Sequence, residues 1–236
     1  MKRRHFCFIH AANFRDGPEI LEHQLDLITR TGLYNLLSRV SITILGPPGA
    51  VERIQPYLDR YERIRVDFGG EPLAMWEFPT LERLHRHCRR CPTSTALYIH
   101  TKGIAYDGKR KITVSNWRRM MEHFLIERHQ DVIPLLDNCG VVGCNFTDKG
   151  GKPSVPSPHY SGNFWWANAW HINRLKRVSG LDWADRRQAE WWVLGTGVED
   201  AVCIHNSGVN HQFKFYPRQA YENAPLLNQP VRGKEK

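Results

Sequence analysis

The stretch ALYIHTKG, residues 96–103, joins a short apolar run to three polar side chains. Residues 96–99 lie between a Thr-Ser-Thr sequence and Gly103, a pattern that predicts a buried inner strand of a sheet. His100, Thr101 and Lys102 follow at the carboxyl end of this strand, where open α/β sheets bind their ligands. An imidazole, a hydroxyl and an ammonium together indicate an anion site, whereas Lys102 alone would more simply be a surface lysine.

Strand-like and helix-like segments alternate along the rest of the chain, which predicts the α/β class. Before residue 96 we expect strands at 5–9, 41–45 and 64–68, separated by helices that begin near Asp16, Val51 and Pro79. After it we expect a long helix capped by Ser115, a strand or strand-to-helix segment at 164–172, and further strands at 141–146, 201–205 and 213–216. This order is typical of a single-domain, Rossmann-like fold with a mostly parallel central sheet and helices on both faces.

The composition predicts one globular domain with an anionic partner. The chain has 236 residues, 41% of them hydrophobic and 24% charged, which is enough for one sizeable core. A net charge of +9 favours a phosphorylated ligand, a membrane surface or nucleic acid. Because the charge is spread along the chain, it does not single out nucleic acid. We therefore expect no nucleic-acid partner, and we include peripheral membrane contact among the expectations.

The cysteines and the amino-terminal residues predict a cytoplasmic protein with reduced thiols. The six cysteines have no spacing typical of a secreted disulfide domain, and the apolar run at 6–9 after the basic start is too short for a signal peptide or a membrane span. The segment HRHCRRC, residues 85–91, does not favour zinc, because one helix cannot direct four ligands to one ion, so we assign Cys88 to the core. The sequence lacks a Walker glycine loop, a dinucleotide fingerprint and a nucleophile elbow, which disfavours kinases, Rossmann dehydrogenases and α/β-hydrolases.

Two aromatic stretches in the second half contain further candidates. In HYSGNFWWA, residues 159–167, three adjacent aromatics follow a polar turn, and at least one should leave the core if the segment is a strand. Six of the eight tryptophans lie at 165–192, and such a cluster is typical of carbohydrate sites, because a sugar ring stacks on an aromatic face. In RRQAEWW, residues 186–192, Glu190 lies one turn from Arg186 and is either a general base or part of a surface ion pair.

Four motifs in order, YIHTKG, Trp117-Arg118, HYSGNFWWA and AEWW, resemble a family of glycosyltransferases from polysaccharide gene clusters. Its members typically read HTKG, WR, SGNFWWA and AE.W, and the HTK alone is also similar to rhamnan-synthesis proteins. The resemblance runs from the first strand to Trp192. It implies a glycosyltransferase A-type domain at 1–217, with a donor half at about 1–110 and an acceptor half at 111–217, before a polar tail at 218–236.

The resemblance also implies a reaction and its participants. A sugar would pass from a nucleotide-diphosphate donor to a carbohydrate or lipid-linked oligosaccharide acceptor in cell-surface polysaccharide synthesis. Position in that fold assigns donor contacts to His10, Ala11, Asn13, Glu77, Thr80, His100, Thr101, Gly103 and Arg118. The acceptor contacts would be His159, Ser161, Asn163 and Trp165. Lys102 and Glu190 are the catalytic candidates, with Glu190 as the base of an inverting reaction and Glu199 and Asp200 in reserve.

One departure from this fold family concerns metal. Such enzymes usually end the central strand with Asp-x-Asp, where this chain reads His100-Thr101-Lys102. A hard cation finds no carboxylate ligand there, whereas a lysine can neutralise a leaving diphosphate directly. The sequence therefore predicts no metal ligands and no certain cofactor, and a dependence on Mn²⁺ or Mg²⁺ is in doubt.

Two other function classes stay open at this point. The chain could be a non-catalytic carbohydrate- or nucleotide-binding module on the same fold, or, from charge alone, a nucleic-acid binder with steep salt dependence. Retention and inversion at the sugar are also both open.

Overall fold

The structure is a computed structural model of the chain, and it describes residues 3–47, 49–70, 73–148, 158–227 and 229–231. The strands are β1 (His5–Ala12), β2 (Leu37–Leu45), β3 (Ile64–Gly70), β4 (Thr95–His100), β5 (Val141–Cys144), β6 (Phe146–Thr147), β7 (His159–Tyr160), β8 (Trp165–Asn168), β9 (Ala201–His205) and β10 (Gln229–Pro230). The helices are α1 (Gly17–Arg30), α2 (Leu33–Leu36), α3 (Ala50–Arg60), α4 (Phe78–Arg90), α5 (Gly108–Glu122), α6 (His129–Val132), α7 (Ala169–Arg174) and α8 (Arg187–Trp191).

The central sheet has eight strands in the order β10-β9-β5-β8-β4-β1-β2-β3. β1 pairs in parallel with β2 and β4, β2 with β3, and β5 with β9, while β8 is antiparallel to both β4 and β5. The short edge strand β10 is antiparallel to β9. β6 and β7 form a separate two-stranded ribbon beside the sheet. The sheet is thus mostly parallel, and the carboxyl ends of β1, β4, β5 and β9 lie at one edge.

β4 is an inner strand, as its sequence predicts. It lies between β1 and β8, and its residues Ala96 to Ile99 are fully buried. The register places His100 opposite His10 at the end of β1. Two strands therefore deliver polar side chains to the same point, and Lys102 follows directly from it.

Two apolar layers cover the faces of the sheet, so the expected α/β fold class is confirmed. One layer packs α1, α3 and α5 against the sheet, with Leu21, Ile54 and Met121 among its buried side chains. The other packs α4, α7 and α8, with Leu84 and Ile172 in its interior. Cys88 lies in the second layer, as expected, and all six cysteines are free. Within the described residues, no helix has the length and apolar character needed to cross a bilayer.

Several predicted boundaries are wrong for identifiable reasons. α5 begins after Asp107 rather than Ser115, because the good helix formers at 109–111 extend it by about two turns. β5 ends at Cys144, because Asn145 adopts a positive φ of 52° and turns the chain into the β6–β7 ribbon. Residues 213–216 are not a strand: Phe213 lies in a turn and is 72% exposed.

The carboxyl-terminal residues are part of the domain rather than a peripheral tail. In the described part of 218–236, the Tyr221 side chain is buried and β10 extends the sheet. Arg218 also forms a double hydrogen bond with the Glu127 carboxylate, at 3.0 and 2.6 Å. The polar composition of this segment gave no sign of these contacts, and its residues 228 and 232–236 lie outside the described part.

The close approach of β5 to the Tyr160 ring gives a test of this packing. A Cβ atom on Gly143 would lie 2.5 Å from the buried Tyr160 ring, so Gly143→Ala should destabilise the protein by about 1–3 kcal/mol. Gly69→Ala on β3 is the matched control, because nothing lies within 4 Å of its added methyl group. Denaturant unfolding of both variants measures the difference, and equal stabilities would contradict the packing of Tyr160 on β5.

Candidate functional site

A large cleft lies at the carboxyl ends of the parallel strands. Its volume is about 1170 Å³. His10 and Ala12 from β1, the segment from His100 to Tyr106 after β4, and Asn206 to Gln212 after β9 all line it. Trp76, Glu77, Glu190 and Trp191 also line it. The topology therefore brings together residues that are far apart in sequence.

Hydrogen bonds fix the backbone at the floor of this cleft. The Thr101 amide donates to the His10 carbonyl at 2.9 Å, and the Ala12 amide donates to the Thr101 hydroxyl at 3.0 Å. His10 Nδ1 shares a 3.0 Å hydrogen bond with the Thr80 hydroxyl, and burial lowers the pKa of His10 to about 4. His10 is therefore neutral near pH 7, and the ends of β1 and β4 form one rigid platform.

His100 is a neutral imidazole with a defined tautomer. Its Nε2 lies 3.0 Å from the Gly162 carbonyl, which can only accept, so Nε2 carries the proton. Its Nδ1 lies 4.0 Å from Glu77 Oε1. Burial, followed by the charge of Lys102, holds the pKa of His100 well below its usual range. The unprotonated Nδ1 therefore presents a lone pair toward Glu77.

Lys102 is the cation of the platform. Its Nζ lies 4.0 Å from the centroid of the Trp117 ring, a distance at which the ring face attracts an ammonium. Burial lowers the pKa of Lys102, while the negative charges of Glu190 and Glu77 act in the opposite direction. The ammonium is thus only partly compensated by its surroundings, and it faces a cleft wide enough for an anionic ligand.

Two carboxyl groups, those of Glu77 and Glu190, are close enough to Lys102 to raise its pKa. Burial and, after it, the neighbouring Glu190 raise the pKa of Glu77 to about 7. Arg186 forms no ion pair with Glu190 in the described part of the chain; its guanidinium lies over the Trp76 ring at 5.7 Å. The Tyr98 hydroxyl on β4 is buried without a hydrogen-bond partner, and its pKa is raised well above the usual range by burial and then by Glu77 and Glu190. The site therefore contains two carboxyl groups as well as a cation.

Arg118 is not a ligand-binding cation, contrary to its assignment from sequence. Its side chain is 6% exposed, and it donates to both carboxylate oxygens of Glu122 at 3.0 and 3.2 Å. Glu122 accepts a further hydrogen bond from Gln24 Nε2, which also donates to the His100 carbonyl, both at 3.0 Å. The Arg118–Glu122–Gln24 chain therefore supports the end of β4 from behind the cleft.

Other assignments separate into cleft residues and buried ones. His100, Thr101, Gly103, Glu77 and His10 line the cleft, as do His159 and Ser161. Ala11 and Thr80 are buried, and Asn13 is hydrogen-bonded to the Pro47 carbonyl away from the lining. Trp165 is fully buried, and its Nε1 donates to the Asn163 side-chain oxygen at 3.0 Å. Asn163 and Trp165 are therefore internal packing residues, and no acceptor sugar can stack on Trp165.

The reserve carboxylates are also in the wrong place. Asp200 pairs with Arg174 at 2.7 Å, and it lies with Glu199 just before β9, at the amino edge of the sheet. The cleft is at the opposite, carboxyl edge. Glu190 is thus the candidate base that lines the cleft together with Lys102.

Several cleft residues were not expected from the sequence. Trp76, Tyr106 and Trp191 provide the aromatic surfaces, and Asn145 organises the 206–212 loop. The Asn145 side chain hydrogen-bonds His211 Nε2 at 3.1 Å and accepts from the Ser207 amide at 2.9 Å. The sequence Asn-Ser-Gly directly after β9 was a usable signal, because it is a polar turn at the end of a parallel strand.

The donor set does not fit a divalent metal. The position of the second acidic residue of Asp-x-Asp holds Lys102, whose positive charge repels a cation. Among the residues that the structure describes, no three His, Cys, Asp or Glu side chains converge as a metal site would require.

Comparisons with known proteins place the chain in a family without an assigned activity. Residues 8–211 match the model of DUF8361, a domain of unknown function. No curated protein matches the sequence. A 4-diphosphocytidyl-2C-methyl-D-erythritol synthase structure aligns over 94% of this chain and 96% of its own, with 14% identity and a TM-score of 0.41. Rv0371c from Mycobacterium tuberculosis H37Rv, in a structure with manganese, aligns over 74% of this chain and 77% of its own, with 12% identity and a TM-score of 0.34. These likenesses are too distant to assign a residue or a reaction.

Arg118→Met tests whether this arginine is structural. The substitution leaves the buried Glu122 carboxylate without its cation, so the free energy of unfolding should fall by about 3–5 kcal/mol. The exposed neighbour Arg119→Met is the control and should change stability by about 0.5 kcal/mol or less. A stable Arg118→Met protein that has lost ligand affinity would instead restore the original assignment.

Glu77→Gln tests the carboxyl environment through pH. The unfolded carboxyl ionises near its ordinary pKa of 4.5 and the folded one near a pKa of about 7, so between these values the unfolded state binds fewer protons. Wild-type stability should therefore fall, relative to Glu77→Gln, by up to about 3 kcal/mol as pH rises through this window, and then level off. Urea titrations across pH measure this, with the exposed Glu52→Gln correcting for the loss of one charge. A wild-type to Glu77→Gln difference in unfolding free energy that does not change with pH would contradict the buried position of Glu77.

Proposed function

The chain belongs to the DUF8361 family, and we propose that it is a glycosyltransferase. It moves a sugar from a nucleotide-diphosphate donor to a carbohydrate acceptor in cell-surface polysaccharide synthesis. The observation that carries the proposal is the placement of the Lys102 ammonium at the end of an inner strand, in a cleft that Glu190 also lines. The four ordered motifs quoted above support the same reaction class.

Lys102 is the group that binds the donor diphosphate. An ammonium in a poorly solvated cleft forms strong charge-assisted hydrogen bonds with phosphate oxygens. Thr101 and Gly103, the sequence neighbours of Lys102, also line the cleft, and the Trp117 ring packs against the Lys102 ammonium. A bound diphosphate would replace the carboxylates as the main counter-charge of Lys102. The cleft of about 1170 Å³ has room for a nucleotide sugar together with part of an acceptor.

The transfer step needs one base and one stabilised leaving group. The acceptor hydroxyl oxygen forms a bond to the anomeric carbon, and the bond from that carbon to the diphosphate oxygen breaks. The hydroxyl proton passes to the Glu190 carboxylate. The electron pair of the broken bond stays on the diphosphate, whose added negative charge Lys102 offsets. This assignment corresponds to inversion of configuration at the anomeric carbon. Glu77 interacts electrostatically with both Glu190 and Lys102, so its ionisation state affects both groups.

Aromatic rings near Glu190 provide the acceptor surface. Trp76 is 39% exposed and Trp191 lines the cleft, so both can stack on the apolar face of a sugar. His159 and Ser161 lie on the same cleft and offer hydrogen bonds to hydroxyl groups. Trp76 and Trp191 thus take the acceptor role that the sequence assigned to Trp165 and Asn163, while His159 and Ser161 keep theirs. The free thiols agree with a reducing compartment such as the cytoplasm.

The test is turnover with a panel of nucleotide sugars, measured as released nucleoside diphosphate. Glu190→Gln keeps size and hydrogen bonding but removes the base, so turnover should fall by about 10²–10⁴-fold while donor affinity is kept. Glu199→Gln, at the amino edge of the sheet, is the matched control and should keep full activity. Saturable donor binding without any turnover in the wild type would point to a non-catalytic binding module, and a fully active Glu190→Gln would remove the base assignment.

A further inference from the structure

Three apolar side chains stand out from the surface beside the cleft. Phe213 is 72% exposed, Ile112 56% and Phe215 55%, and these are the three most exposed large apolar side chains among the described residues. They lie on only two segments, the first half of α5 and the turn at 213–215. Scattered exposed apolar residues are ordinary, but this grouping is typical of a surface that meets a partner.

The same two segments carry only positive charge. Residues 109–112 read KRKI and residues 213–215 read FKF, with four basic and no acidic residues. Lys111 pairs with Asp16, while Arg110 bonds an amide, Gln212, rather than a carboxylate. Lys109 and Lys214 are exposed to solvent. Aromatic side chains interleaved with basic ones match the interface of an anionic bilayer, where rings enter the headgroup layer and cations meet phosphate.

Contacts join the two segments into one face. The Arg110 guanidinium donates to Gln212 Oε1 at 2.8 Å, and its Cζ lies 5.5 Å from the centroid of the Phe213 ring. The same guanidinium lies 4.3 Å from the centroid of the Tyr106 ring. Tyr106 and Gln212 both line the cleft. The face therefore borders the mouth of the candidate site directly.

We propose that this basic–aromatic face, formed by Lys109, Arg110, Ile112, Phe213, Lys214 and Phe215, docks the protein peripherally on an anionic bilayer. The charge on the face and the overall net charge of +9 select an anionic surface rather than a second copy of the same basic chain. Docking in this way turns the cleft mouth toward the membrane. The binding is independent of the proposed reaction, but its use, the presentation of a lipid-linked acceptor to Glu190, rests on the proposed function.

Vesicle flotation of the purified full chain tests the proposal. The protein should bind vesicles of phosphatidylcholine mixed with phosphatidylglycerol, and bind much less to phosphatidylcholine alone. Phe213→Ser with Phe215→Ser should weaken binding by about tenfold or more, because each ring loses its apolar contact. Lys109→Glu with Lys214→Glu should weaken it by a similar factor and reduce its salt dependence. Trp170→Ser, an exposed ring near the amino end of the sheet, is the matched control and should bind as the wild type.

Three outcomes would overturn the proposal: no binding of the wild type to anionic vesicles, equal binding by the double variants, or a change of oligomeric state on Phe213→Ser with Phe215→Ser. The last would assign the face to a second copy. Turnover with a water-soluble acceptor separates this test from the proposed function. The two double variants of the basic–aromatic face should keep the wild-type turnover with this acceptor. If the chain does not catalyse the proposed reaction, the wild type and all variants show no turnover, and the flotation results stay the same.

Discussion

The partial burial of one positive charge, the Lys102 ammonium, is the constraint on which the site depends. Removing water from a lysine ammonium destabilises its charged form unless neighbouring groups replace part of the lost solvation. Here the Trp117 ring face and the carboxyl groups of Glu77 and Glu190 supply that replacement. Burial also keeps His10 and His100 neutral, so they add no further positive charge to the cleft floor. The Lys102 ammonium is thus fixed in position, and an anionic ligand would stabilise its charge further.

The position of this charge follows from support behind the sheet. The end of β4 is held by Gln24, which bonds the His100 carbonyl and the Glu122 carboxylate, and Arg118 balances that carboxylate. In front, His100 reaches the Gly162 carbonyl. Gly162 has a φ of 101°, and a methyl group there would clash with the Met121 sulfur, so only glycine fits. The motifs HTKG, WR and SGNFWWA thus meet at one point in space.

Much of this arrangement could be predicted from sequence, because it depends on local patterns. The apolar run before His100 and the alternation of segments identify β4 and the parallel sheet, and strand-end position identifies Thr101 and Lys102. The rest depends on contacts between distant residues. Whether Trp165 faces the core or the cleft is decided by β4 and β5 on either side of it. Whether Arg118 binds a ligand is decided by Glu122 and Gln24, and no sequence pattern records that pairing.

The direct test of the account is the affinity for nucleoside diphosphates and their parent nucleosides, measured by calorimetry with a chelator present. The account predicts that the wild type binds a diphosphate without a divalent ion. It also predicts that Lys102→Met weakens that binding by about 10–100-fold while nucleoside affinity is unchanged. Equal losses for both ligands, or diphosphate binding that appears only after a divalent ion is added, would contradict the role of Lys102.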